Sequence, residues 1–315
     1  DEITLIKTLL ASEDTDGVIG KEAGANLQRI PSNIYWNGLG KWGIRRFLGS
    51  QEQYHRNLDF YYYQKKNQLL SEDKEPVHGL TRENWDSALP SPPKDFPSSA
   101  SLTLFEEEAE YLYDRIMINC QGSLLAYLID KTSVEKCDYI WQHSQLQEFP
   151  ESLRNQMFHA KNFSLIIQGA ALLYNLMLAE KAESQDLIEE YEEWLQEWSQ
   201  ELSALNQDFS SWDMKDFWQI VESEGARITA RTKKFINTWI ELVLGKEKPA
   251  YIKEDTMARQ LIKERELRLK GGRARLKNKR ALEQWTGYAG TRRLNYRWNI
   301  VSGMVTDILT ALKGE

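Results

Sequence analysis

Four histidines, His55, His78, His143 and His159, have the most scope for acid-base or metal chemistry in this 315-residue chain, and none has a partner at a ligand interval. A zinc-binding HExxH pair would set two imidazoles on one helix face; no such spacing occurs, and no Ser/His/Asp signature is legible. No GxxxxGK[ST] or GxGxxG segment offers backbone N–H groups to a nucleotide phosphate. Gly38, Gly40 and Gly43 form a lone cluster in an aromatic segment and read as positions where helices pack closely or end. Glu106, Glu107 and Glu108, with Glu110 and Asp114, could supply oxygens to magnesium in a nuclease. Successive helical residues diverge by about 100°, so adjacent glutamates do not converge on one ion, and the run reads as helix capping. Cys120 and Cys137 lack CxxC or Cys/His spacing, which points to neither disulfide nor zinc and fits a reducing cytoplasm. No catalytic residue, metal ligand or cofactor site is therefore assigned.

Cations carry the stronger signal. The net charge is −7, but Lys253 to Trp298 hold 14 Lys/Arg against 5 Asp/Glu, which is +9 and leaves −16 for the rest. Arg273, Arg275, Lys277, Lys279 and Arg280 lie within eight residues, and Arg292 and Arg293 follow among Trp285, Tyr288, Tyr296 and Trp298. Closely spaced cations neutralise phosphates, and interleaved aromatics can stack on bases. The competing reading pairs these cations with the segment Glu183 to Glu201, which has eight acidic residues and no Lys or Arg, in this chain or in a partner. Lys41, Arg45 and Arg46 form a second candidate phosphate site.

The elements that must position these residues are helical. Residues 1–70 suggest three short helices, the first with Ile3, Leu5, Ile6, Leu9 and Leu10, the second over Ile19 to Gln28, and the third introduced by Pro31-Ser32. Leu39, Gly43 and Ile44 then match the end of a winged helix-turn-helix, with a wing expected near Phe47. Prolines 76, 90, 92, 93 and 97 mark residues 71–101 as a connector. A capping box Thr103/Glu106 opens a central helical domain over residues 102–250. Within it, Phe163 to Leu178 reads as a buried helix too short and interrupted to span a bilayer, on which Asn175 needs a hydrogen-bond partner. Leu187, Tyr191, Trp194, Trp198, Leu202 and Leu205 form one apolar helix stripe. Residues 251–315 form a basic helical region, with a helix from Asp255 to Lys270 stopped at Gly271-Gly272 and a closing helix carrying Ile300, Met304, Val305, Ile308 and Leu312. The fold expected is mainly α and multi-helical, with a helix-turn-helix-like N-terminal region. No secretion signal is visible at Asp1-Glu2-Ile3; without an initiator Met, the chain is expected to begin inside a longer gene product.

Several segments in order carry a resemblance: Gly17-Val18-Ile19-Gly20-Lys21-Glu22-Ala23-Gly24, Pro31-Ser32-Asn33-Ile34-Tyr35-Trp36 leading to Trp42-Gly43-Ile44, Phe163-Ser164 with Gly169-Ala170-Ala171-Leu172-Leu173-Tyr174-Asn175, and Leu294-Asn295-Tyr296-Arg297-Trp298. Together they resemble an uncharacterised bacterial family, domain of unknown function six-three-six-one. The resemblance implies a setting beside helicases and nucleases in anti-phage gene clusters, and it supplies no catalytic residue. The function expected is a non-catalytic, cytoplasmic, DNA-associated subunit of an anti-phage complex that positions a helicase or nuclease partner, with no membrane contact. The rivals are a protein scaffold without nucleic-acid contact and a nuclease built from dispersed carboxylates.

Overall fold

A computed structural model describes residues 2–12, 15, 17–66, 83–133, 135–205, 209–223, 225–245 and 249–314. Among them the chain forms twelve α-helices and no strand. It divides into two compact units, residues 1–136 with 300–315, and residues 137–299. This division cuts across the four sequence segments: residues 102–136 belong with the N-terminal unit, and most of the basic region joins the central helices.

In the first unit, helix α1 (Glu2–Leu10) buries Ile6 and Leu9 against Val18. The helix expected over Ile19 to Gln28 is a single 3-10 turn, Gly24–Asn26. Gly20 and Gly24 both take positive φ, a region that ends helices. Helix α2 (Pro31–Lys41) starts with Pro31 in its first turn, where a missing N–H costs nothing. The carboxylate of Glu2 caps it by accepting from Ser32 N at 2.9 Å and Ser32 Oγ at 2.6 Å. Among the described residues no wing hairpin forms near Phe47. After Gly43 the chain instead takes an isolated antiparallel bridge between Arg45 and Trp85, supported by Arg46 N to Asn84 O at 2.8 Å and Asp86 N to Ile44 O at 2.8 Å. Trp85, midway along the proline-containing segment, packs its ring against Trp36 and Tyr54. A helix missing from the sequence reading, α3 (Gln51–Lys66), follows; Tyr54, Leu58 and Tyr61, at i, i+4 and i+7, make its partly buried face, and none of its residues is fully buried. Residues 71–82 of the expected connector lie outside the described residues.

Helix α4 (Glu106–Asn119) begins two residues later than the Thr103/Glu106 pattern implies. Glu108 Oε2 accepts from Phe105 N at 3.0 Å, so the acidic run does cap the helix, in a shifted frame. Helix α5 (Leu124–Lys131) is capped by Ser123, whose Oγ accepts from Ala126 N at 3.2 Å.

The second unit is organised around α6 (Glu151–Lys181), 31 residues with a buried face running from Leu153 to Ala179. It packs against α7 (Gln185–Ala204), α9 (Ala230–Leu244) and α10 (Thr256–Lys270), with α8 (Met214–Ser223) contributing Phe217 to the same core. Gly169 is what lets α6 and α7 approach: a Cβ there would overlap the Trp198 ring. The ring cannot give way, because it is buried and its Nε1 donates to Leu165 O at 2.7 Å. By length and composition α6 could cross a membrane, yet 72% of its apolar window is buried inside the protein. Its buried Asn175 and Ser164 hold loop carbonyls, as expected of a core helix. A short helix α11 (Lys279–Glu283) and the closing α12 (Trp298–Ala311) complete the chain.

Candidate functional site

The basic loop owes its conformation to one buried carboxylate. Glu266, on α10, is 5% exposed. Its Oε1 accepts from Arg275 N at 2.8 Å, from Lys270 Nζ at 3.3 Å and from the Tyr174 hydroxyl, and its Oε2 accepts from Leu276 N at 2.9 Å. Burial pushes this carboxyl up, but the hydrogen bonds from Tyr174, the two backbone N–H groups and Lys270 outweigh it and hold the group below its ordinary value. The same contact, after burial, raises the Tyr174 phenol. Gly271 makes the turn possible with φ +53. Asn278 closes the loop, donating to Gly272 O at 2.7 Å and capping α11 through Ala281 N at 3.3 Å.

With its backbone tied inward, the loop sends its cations outward. Arg273, Lys277, Lys279 and Arg280 are exposed and Arg275 is half-buried; among the described residues none of the five forms an ion pair with a carboxylate. The nearby Arg275 guanidinium works against burial and Glu266 to lower the Tyr174 phenol, without reversing its upward shift. Other cations of the basic region are neutralised at home. Arg293 makes a two-pronged pair with Glu201, at 2.8 and 2.5 Å, and donates to Gln168 Oε1 at 3.0 Å. Lys253 pairs with Glu192 at 3.0 Å. Arg259 pairs with Glu180 at 2.5 Å, which raises its already high pKa. The acidic helix α7 therefore partners part of the basic region, as the competing reading of the sequence required. Its Glu189, Glu193 and Glu197 stay exposed. Arg292, beside Arg293, is exposed and lines a smaller cleft of about 330 Å³ with Trp194 and Trp198.

The second candidate site is built the opposite way. Arg45 stacks over Trp36 at 4.6 Å and donates to Trp36 O at 2.9 Å and to Phe47 O. Arg46 donates to Asp86 Oδ2 at 2.5 Å, and Arg115 donates to the same oxygen at 2.9 Å. Burial pushes the Asp86 carboxyl up, but Arg46, the Ala88 N–H and Arg115 hold it below its ordinary value. Of this group only Lys41 projects as an exposed side chain without such a partner.

Sequence reasoning missed one polar chain. Trp212 Nε1 donates to His159 Nδ1 at 2.8 Å, His159 Nε2 lies 2.9 Å from Asp216 Oδ2, and Asn155 donates to that oxygen at 2.7 Å. With Nδ1 accepting, the proton sits on Nε2 and points to Asp216. No spacing in the sequence joins His159 to Asp216, because two helices bring them together. Among the described residues no group of three or more His, Cys, Asp and Glu converges as a metal site.

Two of the segments that carry the resemblance, 163–175 and 294–298, meet at α6. Asn175, fully buried, donates to Ala171 O at 2.7 Å and Ala289 O at 2.9 Å and accepts from Trp285 Nε1 at 3.2 Å. Ser164 donates to Leu294 O at 2.7 Å, and Tyr296 to Ala160 O at 3.0 Å. The family model described as Family of unknown function (DUF6361) matches residues 1–311. The chain belongs to DUF6361. No curated protein and no solved structure matches it. The DUF6361 match spans the basic loop, the acidic helix and the α6 contacts that join them.

Proposed function

We propose that this chain is a non-catalytic, DNA-associated subunit of a bacterial anti-phage defence complex, acting in the cytoplasm to place a helicase or nuclease partner on DNA. One observation carries the DNA part: Arg273, Arg275, Lys277, Lys279 and Arg280 sit on a loop fixed by Glu266, with no carboxylate paired to them among the described residues. Holding five cations together costs electrostatic self-repulsion, which an external polyanion relieves. A fixed loop also binds with little ordering cost. The defence setting rests on the family resemblance alone.

The test is fluorescence polarisation with labelled single- and double-stranded DNA across a salt series. Each phosphate contact adds about 0.9 to the slope of log affinity on log salt. Reversing Arg273, Lys277 and Arg280 to glutamate is expected to weaken binding by about tenfold or more and flatten that slope, with the unfolding midpoint unchanged. Equal affinity in that variant would remove the assignment. The exposed carboxylates Glu189, Glu193 and Glu197 favour a second reading, a protein adaptor whose acidic helix face docks a basic partner. DNA indifference together with stable co-purification of a partner through that face would select it.

A further inference from the structure

Within the unit of residues 137–299, the elbow from α6 to α7 opens onto a cleft of about 780 Å³ whose other wall is the chain entering and leaving α11. That volume lies in the range of about 300–1,000 Å³ typical of small-molecule sites. Lys181, the last residue of α6, meets Lys277 and Lys279 of the basic loop around it. All three side chains are exposed, and none is ion-paired among the described residues. Leu187, Leu282 and Trp285 make an apolar surface beside them. The Trp285 indole is held in one orientation by its bond to Asn175 at 3.2 Å. The adjoining Gly287 carbonyl is held by the buried Tyr191 hydroxyl at 2.7 Å. Ser184 and Thr286 add hydroxyls, and Ser184 makes no cap hydrogen bond to α7. Glu183 and Glu283 also line the cleft, so its lysines exceed its carboxylates by one, three against two. Glu183 holds the elbow at φ +56, a left-handed conformation usually given to glycine.

Cations beside a fixed indole, with hydroxyls and carboxylates at the edge, match one chemistry. We infer that the cleft takes a nucleoside monophosphate, with its phosphate among Lys181, Lys277 and Lys279 and its base against Trp285 and Leu282. Lysine serves as a point-charge phosphate binder, base stacking on an aromatic ring is tolerant of base identity, and the carboxylates can accept from ribose hydroxyls or base amino groups. Two sources supply this chemistry: a free nucleotide, or the phosphorylated end of a DNA strand. The second source rests on the DNA reading above; the first does not.

The experiment titrates the full chain calorimetrically with deoxyadenosine monophosphate and with deoxyadenosine, then compares DNA hairpins with and without a 5′-phosphate. Lys181→Glu and Thr286→Trp, both at exposed positions outside the main basic loop, repeat each titration, with a thermal melt to show that the fold is kept. The monophosphate is expected to bind about tenfold or more tightly than the nucleoside, and both variants to lose about tenfold or more. Preference for the phosphorylated hairpin, abolished by the variants, assigns the strand end; monophosphate binding without that preference assigns a free nucleotide. DNA binding that ignores both the 5′-phosphate and the variants, with no heat from the monophosphate, overturns the cleft and leaves the DNA reading standing. Monophosphate binding with no DNA binding does the reverse.

Discussion

Arg45-Arg46 near the N-terminus and Arg273 with Arg275 near the C-terminus are similar concentrations of charge in the sequence, but the fold uses them differently. At the first, the guanidinium groups are the ties: Arg45 holds the carbonyls of Trp36 and Phe47 and covers the Trp36 ring, and Arg46 holds Asp86. At the second, a carboxylate is the tie. Glu266 holds the backbone N–H groups of Arg275 and Leu276, and the Arg273 side chain is left exposed. The difference is which partner satisfies the local backbone. Where the carbonyls of Trp36 and Phe47 are left over, Arg45 folds inward to meet them; where the N–H groups of Arg275 and Leu276 are left over, a carboxylate meets them and Arg273 remains available.

Substitutions can break or sharpen this comparison. The largest effect is expected from Glu266→Leu, which strands the backbone N–H groups of Arg275 and Leu276 and takes away the acceptor of the Tyr174 hydroxyl. A cost of about 3–5 kcal/mol in denaturant unfolding is expected, on the scale of breaking a buried charged network. A cost below about 1 kcal/mol would show that the carboxylate does not hold the loop.

Arg45→Ala comes next, at about 1–3 kcal/mol, because it unsatisfies backbone carbonyls and uncovers Trp36. The same change at Arg273 is expected to stay within about 0.5 kcal/mol, as for other surface positions. Equal costs at the two positions would erase the contrast.

Glu183→Gly acts in the other direction. Relieving a left-handed glutamate is expected to stabilise the protein by about 1 kcal/mol, read as a raised melting temperature. No gain would mean that the elbow is held by other contacts.

Acid supplies the subtlest test. Because Glu266 is depressed in the folded state, its contribution is fully present above the unfolded glutamate value of about 4.3 and is lost as pH falls through the lower folded value. Asp86 follows the same sign from an unfolded value of about 3.9. Stability plotted against pH should therefore fall less steeply in acid for Glu266→Gln than for the wild type. Parallel curves would locate the acid sensitivity elsewhere.

Much of the architecture was legible in the residues. The apolar stripe of α7, the span of α10 with its stop at Gly271, and the need of Asn175 for a partner all followed from periodicity and hydrogen-bond demand, and each appears in the structure. Two positive-φ glycines accompany the reduction of the second N-terminal helix to a turn, and the stretch after Gly43 pairs with Trp85, forty residues on, rather than with its own neighbours. The cation cluster was visible; its sorting was not. Nothing about Arg293 distinguishes it from Arg292 along the chain, yet one is clamped by Glu201 and the other is exposed.

The sequence alone determined the helical class, the burial of α6 and the concentration of positive charge in residues 253–298, because these depend on period, composition and local capping. Only the tertiary structure decided which cations are neutralised, which face outward, and that Lys181 and Trp285 share a cleft. Ion pairing and cleft formation depend on separations of a few ångströms between residues far apart in the chain, and those distances exist only once the helices have packed.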